Sequence, residues 1–105
     1  MSKFDNVSVD TKGNVFFDGK CVSHSVFFPD GSRKTVGVIL PSTLTFNITS
    51  PEVMEITSGT CRVKIGDDPD FKTYTAGDQF SVAANSRFVI ETNEVVNYVC
   101  SFGSD

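Results

Sequence analysis

No stretch of this chain keeps a helical hydrophobic period for three turns, because turn residues interrupt every candidate window. Glycine or proline recurs roughly every ten residues, the rhythm of short strands joined by tight turns. The segments between are rich in Phe, Val, Thr, Ile and Ser and poor in Ala and Leu, a mix that suits a pleated surface. Asn14–Asp18 and Lys20–Phe28 flank an Asp18-Gly19 turn and read as a hairpin. Pro29-Asp30-Gly31 is a second turn, since proline fixes φ and glycine permits positive φ. Strands follow over Thr35–Leu40 and Leu44–Thr49, then over Val53–Thr57 and Cys61–Ile65 across the Ser58-Gly59 turn. Phe71–Tyr74, Gln79–Val82, Arg87–Glu91 and Val95–Phe102 complete the set of strands.

So many short strands in 105 residues need a closed or double-sheet arrangement to protect their edges. The fold class is therefore all-β, and a jelly-roll barrel meets the requirement. The length suits one domain, 1–105, with an N-terminal arm over about 1–13 and the barrel over 14–102. Leu44, Phe46 and Ile48 share one face of their strand, while Thr45, Asn47 and Thr49 share the other. If the polar face lines a pocket, the apolar one needs a cover. A second copy of the chain would supply it, so a homodimer is expected.

Thirteen acidic against nine basic residues leave a net charge of −4, the wrong sign for a nucleic-acid backbone. No apolar run approaches membrane-spanning length, and no basic-flanked apolar segment follows Met1. The expectation is a cytoplasmic protein with neither nucleic acid nor membrane as partner. Cys21, Cys61 and Cys100 are widely spaced with no CxxC pair, and fit small core residues in a reducing compartment. The single histidine, His24, has no ligand at metal-binding spacing.

Ala76–Phe88 reads AGDQFSVAANSRF: a Gly-Asp turn, an alternating apolar strand, a polar corner and a return to apolar residues. This resembles the second half of the cupin motif. Counting back seven from Gly59 reaches Glu52, the glutamate position of the first half, and the two histidine positions fall on Asn47 and Thr45. In the second half Gly77 is in place, but Ala83 stands where proline is usual and Phe88 where the last histidine is usual. Three of four metal ligands are thus replaced. A lone carboxylate does not hold Zn, Fe or Mn, so no metal or other cofactor is expected.

A narrower match runs through FFDGKCVS, GSRKTVGVILP, TFNITSPEVMEITSG, YTAGDQFSVAANSRF and NYVCSF, from about Phe16 to Phe102. In that order these segments resemble the cupin-type pyrimidine/purine nucleoside phosphorylase family of small bacterial proteins. The resemblance implies a metal-free, single-domain cupin (jelly-roll) β-barrel that dimerises. It also implies the reaction nucleoside + phosphate → free base + ribose-1-phosphate on purine and pyrimidine nucleosides, with inorganic phosphate as co-substrate.

Phosphate is itself the nucleophile in such a reaction, so no Ser, Cys or His is obligatory. What is needed is an anion site, groups for the ribose and a surface for the base. Arg33, after the Asp30-Gly31 turn, is the leading phosphate ligand, although a solvated hairpin-end arginine would look the same. Arg87 is a second candidate, yet alternation points it away unless the Asn85-Ser86 corner turns it; Lys34 and Arg62 read as surface charges. Glu52 and Asn47 occupy former ligand positions and suit ribose hydroxyls, and Glu52 would also steady positive charge at the anomeric carbon. Gln79 fits a base edge or a hydroxyl if it faces inward. Phe88 leads the candidates for stacking on the base, followed by Phe46 and Tyr98; core or dimer packing is the alternative for each, and the favoured one for Phe46, while Phe80 belongs to the core. Asp78 fits a turn cap, and no general acid is evident. A different class of function, a metal-free binding module for a sugar or nucleotide, has the same residues. A metal-dependent cupin enzyme with unusual ligands would instead carry metal and lose activity to a chelator.

Overall fold

The computed structural model describes residues 3–103 and is all-β. Its strands are β1 (Ser8–Val9), β2 (Asn14–Phe16), β3 (Cys21–Phe27), β4 (Arg33–Ile39), β5 (Ser42–Ile48) and β6 (Glu52–Ser58). They continue with β7 (Thr60–Ile65), β8 (Lys72–Thr75), β9 (Gln79–Val82), β10 (Ser86–Thr92) and β11 (Val96–Phe102). The expected hairpin forms as β2 and β3, with Phe16 opposite Cys21. Residues 8–9, which the sequence placed in an N-terminal arm, pair with the far half of β3, so β1 and β2 lie end to end along one edge.

Two sheets result. The larger runs β1-β3-β4-β11-β6-β9, with β2 beside β3, and the smaller runs β5-β10-β7-β8. The expected closed barrel is corrected to a pair of open sheets. The chain crosses between them from β4 to β5 at Pro41 and from β5 to β6 at Pro51. Neither residue has an N–H with which to carry a ladder across. The crossing from β6 to β7 turns at Gly59, φ 89°, where a β-carbon would stand 2.6 Å from the Val95 carbonyl oxygen. Only glycine fits both that angle and that space.

One core joins the sheets. Ile39, Met54, Ile56, Phe80, Val82 and Val96 of the larger sheet meet Leu44, Ile48, Val63, Phe88 and Ile90 of the smaller. This overturns the argument by which β5 called for a second copy. Leu44 and Ile48 are buried and Phe46 packs against the core, so that face is covered within the chain. Cys21, Cys61 and Cys100 are free and buried, as expected of core thiols. Among the described residues no helix is long and apolar enough to cross a membrane.

Candidate functional site

The inner face of the larger sheet changes character along its strands. One row across it, Cys21, Ile39 and Val96, is apolar and buried. The next holds Ser23, Gly37, Tyr98 and Ile56, and the one after it Ser25, Thr35, Cys100 and Met54. At the end stand Arg33, Phe102 and Glu52. A hydrophobic core does not use hydroxyls, an arginine and a carboxylate where apolar groups would pack, so polar residues on this inward face mark a cavity. There is one, of about 470 Å³, closed on the other side by Phe46, Ile48 and Phe88 and by the Thr49-Ser50 corner.

Arg33 and Glu52 both line this cavity, yet they form no ion pair within 4.0 Å. The Arg33 guanidinium sits 4.4 Å from the Phe102 ring centroid and donates to Ser25 Oγ at 3.3 Å. The other two arginines are used differently. Arg62 pairs with Glu91 at 2.9 Å and Arg87 with Asp67 at 3.0 Å, both exposed. Arg33 is thus the one arginine without a carboxylate partner among the described residues, and its fork keeps donors for an anion. Burial pushes the Glu52 carboxyl above its usual range, partly offset by a hydrogen bond from the Cys100 thiol. Burial, and then the neighbouring Glu52 carboxylate, push that thiol up in turn.

The aromatic side chains divide into packed and open ones. Phe88 is 1% exposed, stacked on Phe46 at 5.0 Å and 13°, with Phe80 at 5.6 Å and 68°. It touches the cavity but offers no free ring face, which corrects the expectation that a base stacks on it. Tyr98 is also buried, its hydroxyl 3.5 Å from Cys21 Sγ, and burial raises its phenol. At the mouth, Phe16 and Phe102 line the cavity while remaining 45% and 36% exposed.

Of the residues singled out by sequence, Arg33, Glu52, Phe46, Phe88 and Tyr98 come together around the cavity. Asn47 borders it, but it alternates with Phe46 and Ile48 on β5 and pairs with Arg87. Its side chain therefore takes the outward face, against the expectation that it reaches the ribose. Gln79 and Arg87 stand apart from the cavity. Gln79 lies on β9 opposite Glu55, on the outward side, because its neighbour Phe80 takes the core position. Arg87 alternates with buried Phe88 and points outward to Asp67. Asp78 accepts the Thr75 N–H at 2.9 Å, a turn cap as expected. His24 is also outside, its Nδ1 3.0 Å from the Asp10 carbonyl oxygen. Sequence reasoning missed Asn14, whose amide donates to Ser23 Oγ at 3.4 Å, together with Phe16 and Phe102. Alternation was the available signal, since Asn14 and Phe16 share one face of β2, as do Tyr98, Cys100 and Phe102 on β11.

The four positions of the cupin metal motif hold Thr45, Asn47, Glu52 and Phe88. Thr45 is exposed and Phe88 is a buried hydrocarbon ring, so this set does not fit a metal ion. Among the described residues no group of three or more His, Cys, Asp or Glu stands close enough together to hold one.

Residues 11–102 match the family model described as pyrimidine/purine nucleoside phosphorylase. A Cupriavidus necator protein of that name is 61% identical over 102 residues, spanning 97% of this chain and 97% of its own. Another of that name, from Methylobacillus flagellatus, is 59% identical and spans 97% of this chain and 99% of its own. A crystal structure of an Acinetobacter sp. ADP1 protein of unknown function superposes with a TM-score of 0.95 at 52% identity, covering 96% of this chain and 98% of that one.

Proposed function

This chain belongs to the pyrimidine/purine nucleoside phosphorylase family, and we propose that its cavity holds a nucleoside and inorganic phosphate for phosphorolysis. The observation that carries this reading is the separation of Arg33 from Glu52. A cation and a carboxylate line one cavity without closing on each other, as a site for a ligand of mixed charge requires. Arg33 holds the phosphate, with Ser25 and the Phe102 ring fixing its fork. Glu52 takes the ribose hydroxyls. As the C1′–N bond lengthens and phosphate oxygen approaches C1′, positive charge builds on the sugar, and ionised Glu52 stabilises it. The C1′–O bond to phosphate replaces the C1′–N bond, and the base departs with its electron pair.

The same reading makes the enzyme metal-independent, because the motif positions offer one carboxylate and no imidazole. Broad specificity fits a site whose open groups are aromatic rather than base-edge readers, since every base has a π-face. We read the paired sheets as an opened single-domain cupin jelly roll working in the cytoplasm. The proposed homodimer uses the outer face of the larger sheet, where Val22 meets Val38 across β3 and β4, and Val36 meets Val99 across β4 and β11. These half-buried valines line a second groove of about 950 Å³, an apolar strip of the kind that association covers.

The test is base release from uridine and from inosine, each with and without phosphate, repeated with EDTA. Release that requires phosphate and ignores EDTA supports the proposal. Release without phosphate would mean hydrolysis; no release would mean a binding module; loss with EDTA would mean a metal.

A further inference from the structure

We infer that Phe16 is the ring on which the nucleobase stacks, a deepening of the phosphorolysis reading that rests on this cavity being its site. Phe16 ends β2, where Asn14 and Phe16 face the cavity and Val15, 64% exposed, faces away. Directly after it, Phe17 and Asp18 adopt φ of 53° and 55°, followed by Gly19 at 92°. Two side-chain-bearing residues in the left-handed region are costly, and such strain persists only where the surroundings over-determine it. The surroundings here are visible. The Phe17 ring meets Phe46 of the smaller sheet at 5.1 Å and 79°, and the Lys20 N–H closes the turn on the Phe17 carbonyl at 3.1 Å. The strained turn thus fixes the end of β2 against the opposite wall of the cavity and aims Phe16 at its mouth.

The other aromatic side chains lack what a base needs. Phe88 and Phe46 stack on each other, Phe17 takes a further contact on Phe46, and Phe102 carries the Arg33 guanidinium. Phe16 enters none of the ring pairs formed among the described residues and is nearly half exposed. Position supports the same conclusion. Phe16 pairs with Cys21 at the start of β3, and Arg33 pairs with Phe27 at its end. At about 3.3 Å per residue the two backbones are roughly 20 Å apart, and both side chains reach inward toward one space. That span accommodates a base at one end and phosphate at the other, with the sugar between. The ligand class is a purine or pyrimidine ring, recognised by its face.

The chain has no tryptophan, so F16W gives a single indole reporter. Its fluorescence should be quenched on titration with inosine or uridine, while F17W, one residue along, should not respond. In kinetics, F16A should raise KM for inosine and uridine roughly tenfold or more and leave KM for phosphate unchanged. F16Y should restore wild-type KM, whereas F16L, apolar but without a π-face, should not. Unquenched F16W, or full rescue by F16L, would overturn the assignment. So would an F16A variant whose sedimentation shifts while its KM holds, which would make Phe16 an assembly contact. If the wild type releases no base but F16W is still quenched, phosphorolysis fails and the base platform stands.

Discussion

Tyr98 lies against Gly37, its cross-strand partner, so closely that a β-carbon on Gly37 would stand 2.5 Å from the Tyr98 Cζ and hydroxyl oxygen. Both belong to the row of the larger sheet that borders the cavity, and the bare glycine lets the ring fold down beside Ser23 and Cys21. Gly37→Ala therefore forces the ring upward into the cavity or spreads β4 from β11. Overpacking of this kind costs about 1–3 kcal/mol, which lowers Tm by several degrees in a chain this short. The cause is checked by repeating the substitution in a Tyr98→Ala background, where the penalty should largely vanish. An undiminished penalty there would show that the clash is not its source.

Arg33 should control phosphate alone. Arg33→Ala removes a planar fork whose only partners among the described residues are Ser25 and the Phe102 ring. Loss of a charge-assisted pair corresponds to roughly a 10- to 100-fold rise in KM for phosphate at saturating inosine. Arg33→Lys keeps the charge and loses the fork, so it should recover only part of this. Arg62→Ala and Arg87→Ala, which break exposed ion pairs on the smaller sheet, should leave KM for phosphate within twofold. A phosphate KM that follows Arg87 rather than Arg33 would move the anion site elsewhere.

The sequence pattern that read well was the one with period two. Turn residues and alternation placed the strands from β2 to β11 within a few residues and put Arg33, Glu52 and Tyr98 around one space. It erred where the direction of a face had to be chosen. On β5, alternation alone lets Leu44, Phe46 and Ile48 pass for an outer face needing a partner, and they are the inner one. Alternation is symmetric between two faces, and only the opposing sheet breaks the tie. The same ambiguity left Gln79 outside and Phe88 packed among rings, whereas Arg87 lies where alternation points it, away from the cavity. For Phe16, alternation gives the face but not the aim. The ring owes its position to left-handed residues at Phe17 and Asp18, conformations that those residue types do not advertise.

The outer face of the larger sheet supplies the assembly prediction. Val22, Val36, Val38 and Val99 form neighbouring cross-strand pairs there, and they border the groove that Phe4 and Asn97 also line. Sedimentation equilibrium should give a dimer for the wild type and a monomer for Val38→Asp at micromolar concentration, because a carboxylate buried in an apolar contact is strongly unfavourable. Wild type sedimenting as a monomer, or a dimer unaffected by Val38→Asp, would remove this face from the assembly. The cavity opens on the other side of the sheet, so an intact Val38→Asp monomer should retain nucleoside binding by Phe16→Trp fluorescence.

Glu52 should set stability against activity. Burial raises its carboxyl above the usual range, while in the unfolded chain it titrates normally. Between those two values the folded protein holds more protons than the unfolded one, so stability falls as pH rises through that window. Above the raised value the penalty is complete; below the ordinary carboxylate range it is absent. Glu52→Gln keeps the shape and discards the charge. It should melt above wild type at pH 7, and the difference should disappear as the pH is taken below 4. Activity should move the opposite way. If ionised Glu52 stabilises the charge developing on the sugar, wild-type kcat/KM rises with pH along an acid limb set by the raised carboxyl. Glu52→Gln should then lose about 100-fold in kcat and show no such limb. Differential scanning calorimetry from about pH 3 to 8 beside the pH–rate profile tests both halves. A variant no more stable at pH 7 would show that Glu52 carries no buried charge, and one that keeps the acid limb would show that Glu52 does not serve the reaction.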